Sequence, residues 1–89
     1  MSEDNGGDTV RCWLVERTYD DKGLIRLVYA PTDGAGQFVT ERAAAAGVDA
    51  TAGIEVDPEK LEPIAPENEE RYASEAERMA GRHEPDERI

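Results

Sequence analysis

Nucleophilic catalysis would need a thiol or a hydroxyl activated by a histidine base. The nucleophile would be Cys12, Ser2 or Ser74, and the base would be His83, the single histidine of the chain. Ser2 lies in a polar N-terminal segment, Ser74 falls on the exposed side of a predicted helix, and His83 has no neighbour that would orient its ring. The sequence therefore predicts no catalytic pair, and we expect a protein that is not an enzyme.

Metal and phosphate binding are also poorly supported by the sequence. His83, Glu84 and Asp86 match no standard spacing, and one histidine with one distant cysteine cannot complete a zinc tetrahedron. The glycines of residues 34–36 lack the lysine and the hydroxyl that complete a phosphate-binding loop. We therefore predict no metal ion and no cofactor.

Basic side chains concentrate in residues 10–30, which hold four basic residues against three acidic ones in a chain of net charge −11. These four residues are the candidate nucleic-acid contacts: Arg11, Arg17, Lys22 and Arg26. Arginines beside Trp13 and Tyr29 could stack on bases, but binding through phosphate charge weakens steeply as salt rises. Nucleic-acid binding in transcription is therefore the alternative function, and the overall charge argues against it.

The elements that position these side chains form a predicted β-hairpin. Residues 20–23, Asp-Asp-Lys-Gly, have the chemistry of a type I turn closed by a left-handed glycine. That turn sets the expected pairs: Tyr19 with Ile25, Arg17 with Leu27, and Val15 with Tyr29. One face of the hairpin then collects the core residues, interrupted by Arg17: Trp13, Val15, Tyr19, Ile25, Leu27 and Tyr29.

The other face of the predicted hairpin is the candidate partner surface. It collects four apolar residues: Cys12, Leu14, Val28 and Ala30. Nearer the turn, Glu16 and Arg26 would form a diagonal charge pair. Because one helix covers one face of a three-stranded sheet, this second face needs cover from a protein partner, from a second copy in a homodimer, or from residues 43–56 of the same chain.

The middle of the chain is less regular. Residues 37–42 predict a third strand, although Thr40 could instead cap a short helix over residues 41–46. Residues 54–56 are either an edge strand or an ordered crossing. Asp57 followed by proline predicts a helical turn that ends before Pro66.

Residues 66–80 predict one long helix, with acids near its start and arginines near its end. Its narrow apolar stripe contains Tyr72, Ala76 and Met79, and we expect this stripe to pack on the face of the hairpin that carries Trp13.

Together these elements predict an α+β fold. It comprises an antiparallel three-stranded meander, a possible fourth edge strand and a C-terminal helix packed on one face. We divide the chain into a disordered acidic tail (1–8), a single domain (9–82) and a polar C-terminal tail (83–89).

The composition indicates the environment. The 89 residues include 21 acidic and 10 basic ones, and the basic set comprises eight arginines and two lysines. A strongly acidic, lysine-poor chain is typical of an extreme halophile, where molar salt shortens the Debye length to about 3 Å and screens self-repulsion. A lone cysteine permits no internal disulfide, and no signal peptide, membrane span or lipidation motif is evident. We therefore expect a cytoplasmic protein without membrane contact.

Three runs of sequence are similar to a family of short acidic haloarchaeal proteins of unknown function. The runs are residues 11–19 (RCWLVERTY), 27–30 (LVYA) and 71–79 (RYASEAERM). The resemblance covers most of residues 10–89, and it implies a salt-rich cytoplasm but no catalytic motif, site or activity. Without a catalytic or metal site, we expect an adaptor or regulator that acts through protein–protein contact.

Overall fold

The computed structural model describes residues 9–43 and 50–89, which form an antiparallel sheet and a long helix. The elements are β1 (Val10–Tyr19), β2 (Leu24–Ala30), β3 (Phe38–Ala43), β4 (Gly53–Val56), a 3₁₀ turn (Pro58–Lys60) and α1 (Pro66–Arg82). The strand order is β3-β2-β1-β4. The predicted α+β fold, with its meander, fourth edge strand and C-terminal helix, is therefore confirmed. Residues 1–8, predicted to be a disordered tail, and residues 44–49 lie outside the described residues.

The turn between β1 and β2 has the predicted chemistry. The Asp20 backbone N–H donates to the carbonyl oxygen of Leu24 at 3.0 Å. Asp20 Oδ1 accepts from the backbone N–H groups of Lys22 and Leu24, both at 2.9 Å. Gly23 has φ of +85°, a left-handed conformation that favours glycine. The predicted pairs next to this turn are confirmed: Tyr19 with Ile25, and Arg17 with Leu27.

A β-bulge at Val15 changes the register farther from the turn. Leu14, instead of Val15, pairs with Tyr29, and Glu16 pairs with Val28. The predicted pairing of Val15 with Tyr29 is therefore wrong. Because paired residues share a face and a bulge inserts one extra residue, the side chains that precede Val15 lie on the faces opposite to those predicted.

The bulge also decides which face α1 covers. Trp13 pairs with Ala30 of β2 and with Gly53 of β4, so it shares the face of Val28. Tyr72 of α1 is buried in one cluster with Val28 and Ala30. The helix therefore packs on the face that carries Trp13, as predicted, but Ile25, Leu27 and Tyr29, which were predicted on that face, lie on the opposite one.

The opposite face of the sheet is buried as well. Ile25 and Leu27 are 0% exposed and Tyr29 is 2% exposed. These residues belong to a cluster that also includes residues of β1, of β3 and of the segments on either side of β4: Cys12, Leu14, Phe38, Ala50, Ala52 and Leu61. Residues of the same chain therefore cover this face.

The edges of the sheet are connected by the segment between β4 and α1. Asp57 begins the 3₁₀ turn by accepting a hydrogen bond from the backbone N–H of Glu59 at 3.0 Å, which confirms the predicted helical turn. Glu62 then forms a β-bridge with Gln37, immediately before β3. Their two backbone hydrogen bonds measure 2.7 and 2.8 Å. The chain thus passes from one edge of the curled sheet to the other.

The alternative short helix over residues 41–46 is wrong for residues 41–43, which belong to β3 and pair with β2. The β-ladder with β2 extends from Phe38 to Ala43 and outweighs the helix propensity of the alanine at its end. Helix α1 begins at the predicted proline and extends two residues beyond the predicted end, to Arg82.

Candidate partner-binding site

The predicted partner surface is buried inside the chain. Cys12, Val28 and Ala30 are 0% exposed and Leu14 is 7% exposed. The four residues do not share one face either, because the bulge places Cys12 and Leu14 opposite Val28 and Ala30. Helix α1 covers one pair and residues 50–52 cluster with the other. The prediction of an exposed surface at these residues is therefore wrong.

The four predicted nucleic-acid contacts do not form one patch. Arg11 is in an ion pair with Glu55 on the neighbouring β4. Arg26 lies 4.0 Å from a carboxylate oxygen of Glu16, which confirms the predicted diagonal pair. Arg17 and Lys22 make no ion pair within residues 9–43 and 50–89. The hairpin therefore offers two cations for an external ligand instead of four.

The exposed end of the hairpin carries Tyr19, whose residue is 64% exposed. Arg17 lies two positions earlier on β1, so both side chains project from the same face of the sheet. Lys22 lies in the adjoining turn, which the side chain of Asp20 holds in place. We call Arg17, Tyr19 and Lys22 the hairpin-end patch. The patch therefore presents an aromatic ring and two positive charges on a hydrogen-bonded strand and turn.

Glu16 is the polar centre of the contact between α1 and the sheet, and sequence reasoning did not find this role. Its Oε1 accepts from Tyr72 OH at 2.9 Å and from Arg71 Nη2 at 3.0 Å. Burial, and then the hydrogen bond to the Glu16 carboxylate, raise the pKa of Tyr72. These groups satisfy one another, so Glu16 anchors the helix. The alternation of β1 placed Glu16 beside Arg26, but no local pattern connected it to a helix 55 residues away.

Of the nucleophiles and the base considered from the sequence, Cys12 lies in β1, Ser74 in α1 and His83 directly after α1, while Ser2 lies outside the described residues. Burial, and then the charges of Glu55 and Asp33, raise the pKa of the Cys12 thiol to about 11, so the thiol stays protonated near neutral pH. His83 Nδ1 lies 2.9 Å from Glu87 Oε2 in the C-terminal segment, and Ser74 is on the exposed side of α1.

Within residues 9–43 and 50–89, no group of three or more His, Cys, Asp or Glu residues is placed to hold a metal ion. Among the helices of these residues, none is long and apolar enough to cross a membrane.

The sequence model of one protein family, described as a family of unknown function (DUF7967), matches residues 6–89 of the chain. No curated protein matches the chain, and no solved structure matches it.

Proposed function

The chain belongs to DUF7967, a family of unknown function, and we propose that it is a small non-enzymatic adaptor or regulator that binds another protein through the hairpin-end patch. This places the partner contact at Arg17, Tyr19 and Lys22 instead of at the buried residues considered from the sequence.

The exposure of Tyr19 carries this proposal. It is one of only two large hydrophobic residues exposed among residues 9–43 and 50–89. Its phenolic ring supplies a large apolar area with a polar end, and Arg17 adds charge-assisted hydrogen bonding beside it. Tyrosine and arginine are the residue types enriched at the energetic centres of protein interfaces. A partner with a carboxylate next to an apolar pocket fits both side chains.

Nucleic acid is the less favoured ligand of the same patch. Two of the four basic residues are already paired with carboxylates, and the chain as a whole carries a net charge of −11. The two remaining cations release few counterions, so their contribution to phosphate binding decreases quickly with salt.

Affinity capture with the whole chain in high-salt lysate tests the proposal. The Arg17→Ser/Tyr19→Ser variant is compared with the wild-type chain and with Arg82→Ser, which removes one exposed arginine from the far end of α1. We expect the wild type and Arg82→Ser to retain the same partner protein. The amount of this protein captured by the double variant should be at least tenfold lower. Equal retention by all three chains contradicts the patch. Loss of the captured material on nuclease treatment indicates nucleic acid instead.

We also propose that the protein is adapted to the salt-rich cytoplasm of a halophilic archaeon. Its 21 acidic residues against 10 basic ones support this assignment, because self-repulsion destabilises the folded chain unless it is screened. The free energy of unfolding is expected to rise with KCl from 0.1 M to 3 M. Urea unfolding at each salt concentration measures it, and equal stability throughout contradicts the adaptation.

A further inference from the structure

Residues 83–89 lie along the outer edge of the sheet, and we call them the C-terminal strap. The backbone N–H groups of Ala52 and Gly53 donate to the carbonyl oxygens of Glu87 and Pro85, at 2.8 and 2.9 Å. The N–H of Ile89 donates to the carbonyl oxygen of Ala50 at 3.0 Å. Thus the strap extends the sheet beyond β4 by an irregular strand.

The edge under the strap is integral to the core. Ala52 accepts a hydrogen bond at its carbonyl oxygen from the N–H of Leu14 at 2.9 Å, which connects it to β1. Ala50 and Ala52 are 2% and 0% exposed and belong to the main hydrophobic cluster. This edge is therefore held from inside independently of the strap.

Backbone hydrogen bonds connect the strap to residues 50–53. Its last four residues are exposed, and the Ile89 residue at its end is 39% exposed. A backbone hydrogen bond contributes little net free energy, while ordering each residue costs conformational entropy. Local opening of the strap should therefore need much less free energy than unfolding of the sheet.

Gly53 allows another backbone to approach the edge closely. A Cβ atom at this position would lie 3.2 Å from the Cβ of Pro85 and 3.3 Å from the carbonyl oxygen of Cys12. A glycine inside a strand often marks such a close approach. Beside it, where the strap leaves β4, a groove of about 300 Å³ is lined partly by Ile54, Glu55 and Pro85.

We propose that the outer edge of residues 50–53 is a docking edge for an extended peptide segment of a partner protein, which displaces the strap. The strap shows the chemistry that fits: a proline against Gly53 and an aliphatic residue four positions later, beside Ala50. Backbone hydrogen bonds to the sheet edge supply the affinity, as in strand addition. This surface is separate from the hairpin-end patch and does not depend on it.

Amide hydrogen exchange of the whole chain, followed by NMR, tests the opening of the strap. The N–H groups of Ala52, Gly53 and Ile89 are expected to exchange at least tenfold faster than that of Leu14, which lies in β1 and donates to Ala52. If all four exchange at one rate set by global unfolding, the strap does not open and the proposal fails.

A synthetic peptide with the sequence of residues 83–89 then tests docking. We expect it to shift resonances of residues 50–55 and to bind the full-length Pro85→Ser/Ile89→Ser variant at least tenfold more tightly than the wild type, because the weakened strap competes less. The matched control is Glu77→Ser/Ala80→Ser on the exposed side of α1, which should bind the peptide as the wild type does. Absence of binding to the folded strap variant, or equal binding to all three chains, overturns the proposal.

Discussion

Two segments that follow β4 are attached to the same sheet by different means. Helix α1 is attached through side chains: Tyr72 is buried against Val28 and Ala30, and its hydroxyl donates to Glu16. The C-terminal strap is attached through backbone groups, and the side chains of its last four residues are exposed. The helix contact therefore depends on buried side chains at a few positions, whereas the strap contact depends on backbone hydrogen bonds and on the close approach of Pro85 to Gly53.

This difference has a consequence for stability and for binding. Side chains buried in a shared core come apart only when the core does, so α1 should unfold together with the sheet. A segment held by a few backbone hydrogen bonds can open on its own and be replaced by another segment with a similar backbone. The helix is therefore a structural element, and the strap marks an exchangeable edge.

The largest expected effect is on the helix side. Tyr72→Ala removes a ring that is 3% exposed and should lower the free energy of unfolding by about 3–5 kcal/mol, as large aromatic truncations do. Tyr72→Phe keeps the ring and removes the hydrogen bond to Glu16, so about 1 kcal/mol is expected. Denaturant unfolding at constant salt measures both losses. Exposed Ser74→Ala is the control, and a Tyr72→Ala cost below 1 kcal/mol contradicts the buried contact.

The helix was largely predictable from the sequence. Its stripe of Tyr72, Ala76 and Met79 has the helical period, and all three residues are buried. The face it covers was predictable only in part, because the bulge at Val15 leaves no signature in an alternating strand. One extra residue exchanged the faces of Trp13 and Leu14, and segments of the same chain bury all four residues of the predicted partner surface.

The strap was not predictable from local patterns. Five of its seven residues are polar, and the backbone hydrogen bonds that connect it to residues 50–53 span more than 30 positions. The hairpin turn, in contrast, could be predicted because Asp20 and Gly23 have specific roles in its geometry. Sequence reasoning therefore found the elements with side-chain signatures and missed the contact that has none.

An effect of intermediate size on the free energy of unfolding is expected from the buried Cys12 thiol at alkaline pH. The pKa of the Cys12 thiol is raised to about 11, chiefly by burial, so folding favours the neutral thiol. Its contribution to stability is complete below the unfolded-state pKa and is lost as pH rises through about 11. Since a tenfold change in proton affinity is worth about 1.4 kcal/mol, the expected loss is about 2–3 kcal/mol.

Unfolding measured from pH 8 to pH 11 checks this loss. The pKa of Tyr72 is also raised above its ordinary value, so the helix side also loses stability as its hydroxyl ionises at alkaline pH. Cys12→Ala should be less stable at pH 8, because it leaves a small cavity, but should lose less stability with rising pH. Parallel pH curves for the variant and the wild type would show that Cys12 does not cause the alkaline decline.

The smallest change in total stability is expected at Gly53, together with a local change in amide exchange. In Gly53→Ala the new methyl group would lie 3.2 Å from Pro85 Cβ, so the strap should move away from the edge. The total stability should change by no more than about 1 kcal/mol, because alanine also restricts the unfolded chain. The amide of Ile89 should exchange at least tenfold faster than in the wild type, whereas that of Leu14 should be unchanged.

Gly81→Ala is the matched control for this substitution. It makes the same chemical change in open space, with nothing within 4 Å of the new methyl group. Because position 81 is inside α1, alanine should stabilise the chain there by up to about 1 kcal/mol. Unchanged exchange at Ile89 in Gly53→Ala would mean that the strap tolerates the methyl group. Faster exchange at Leu14 as well would mean that strap and sheet open as one unit, and the distinction between helix and strap would then be lost.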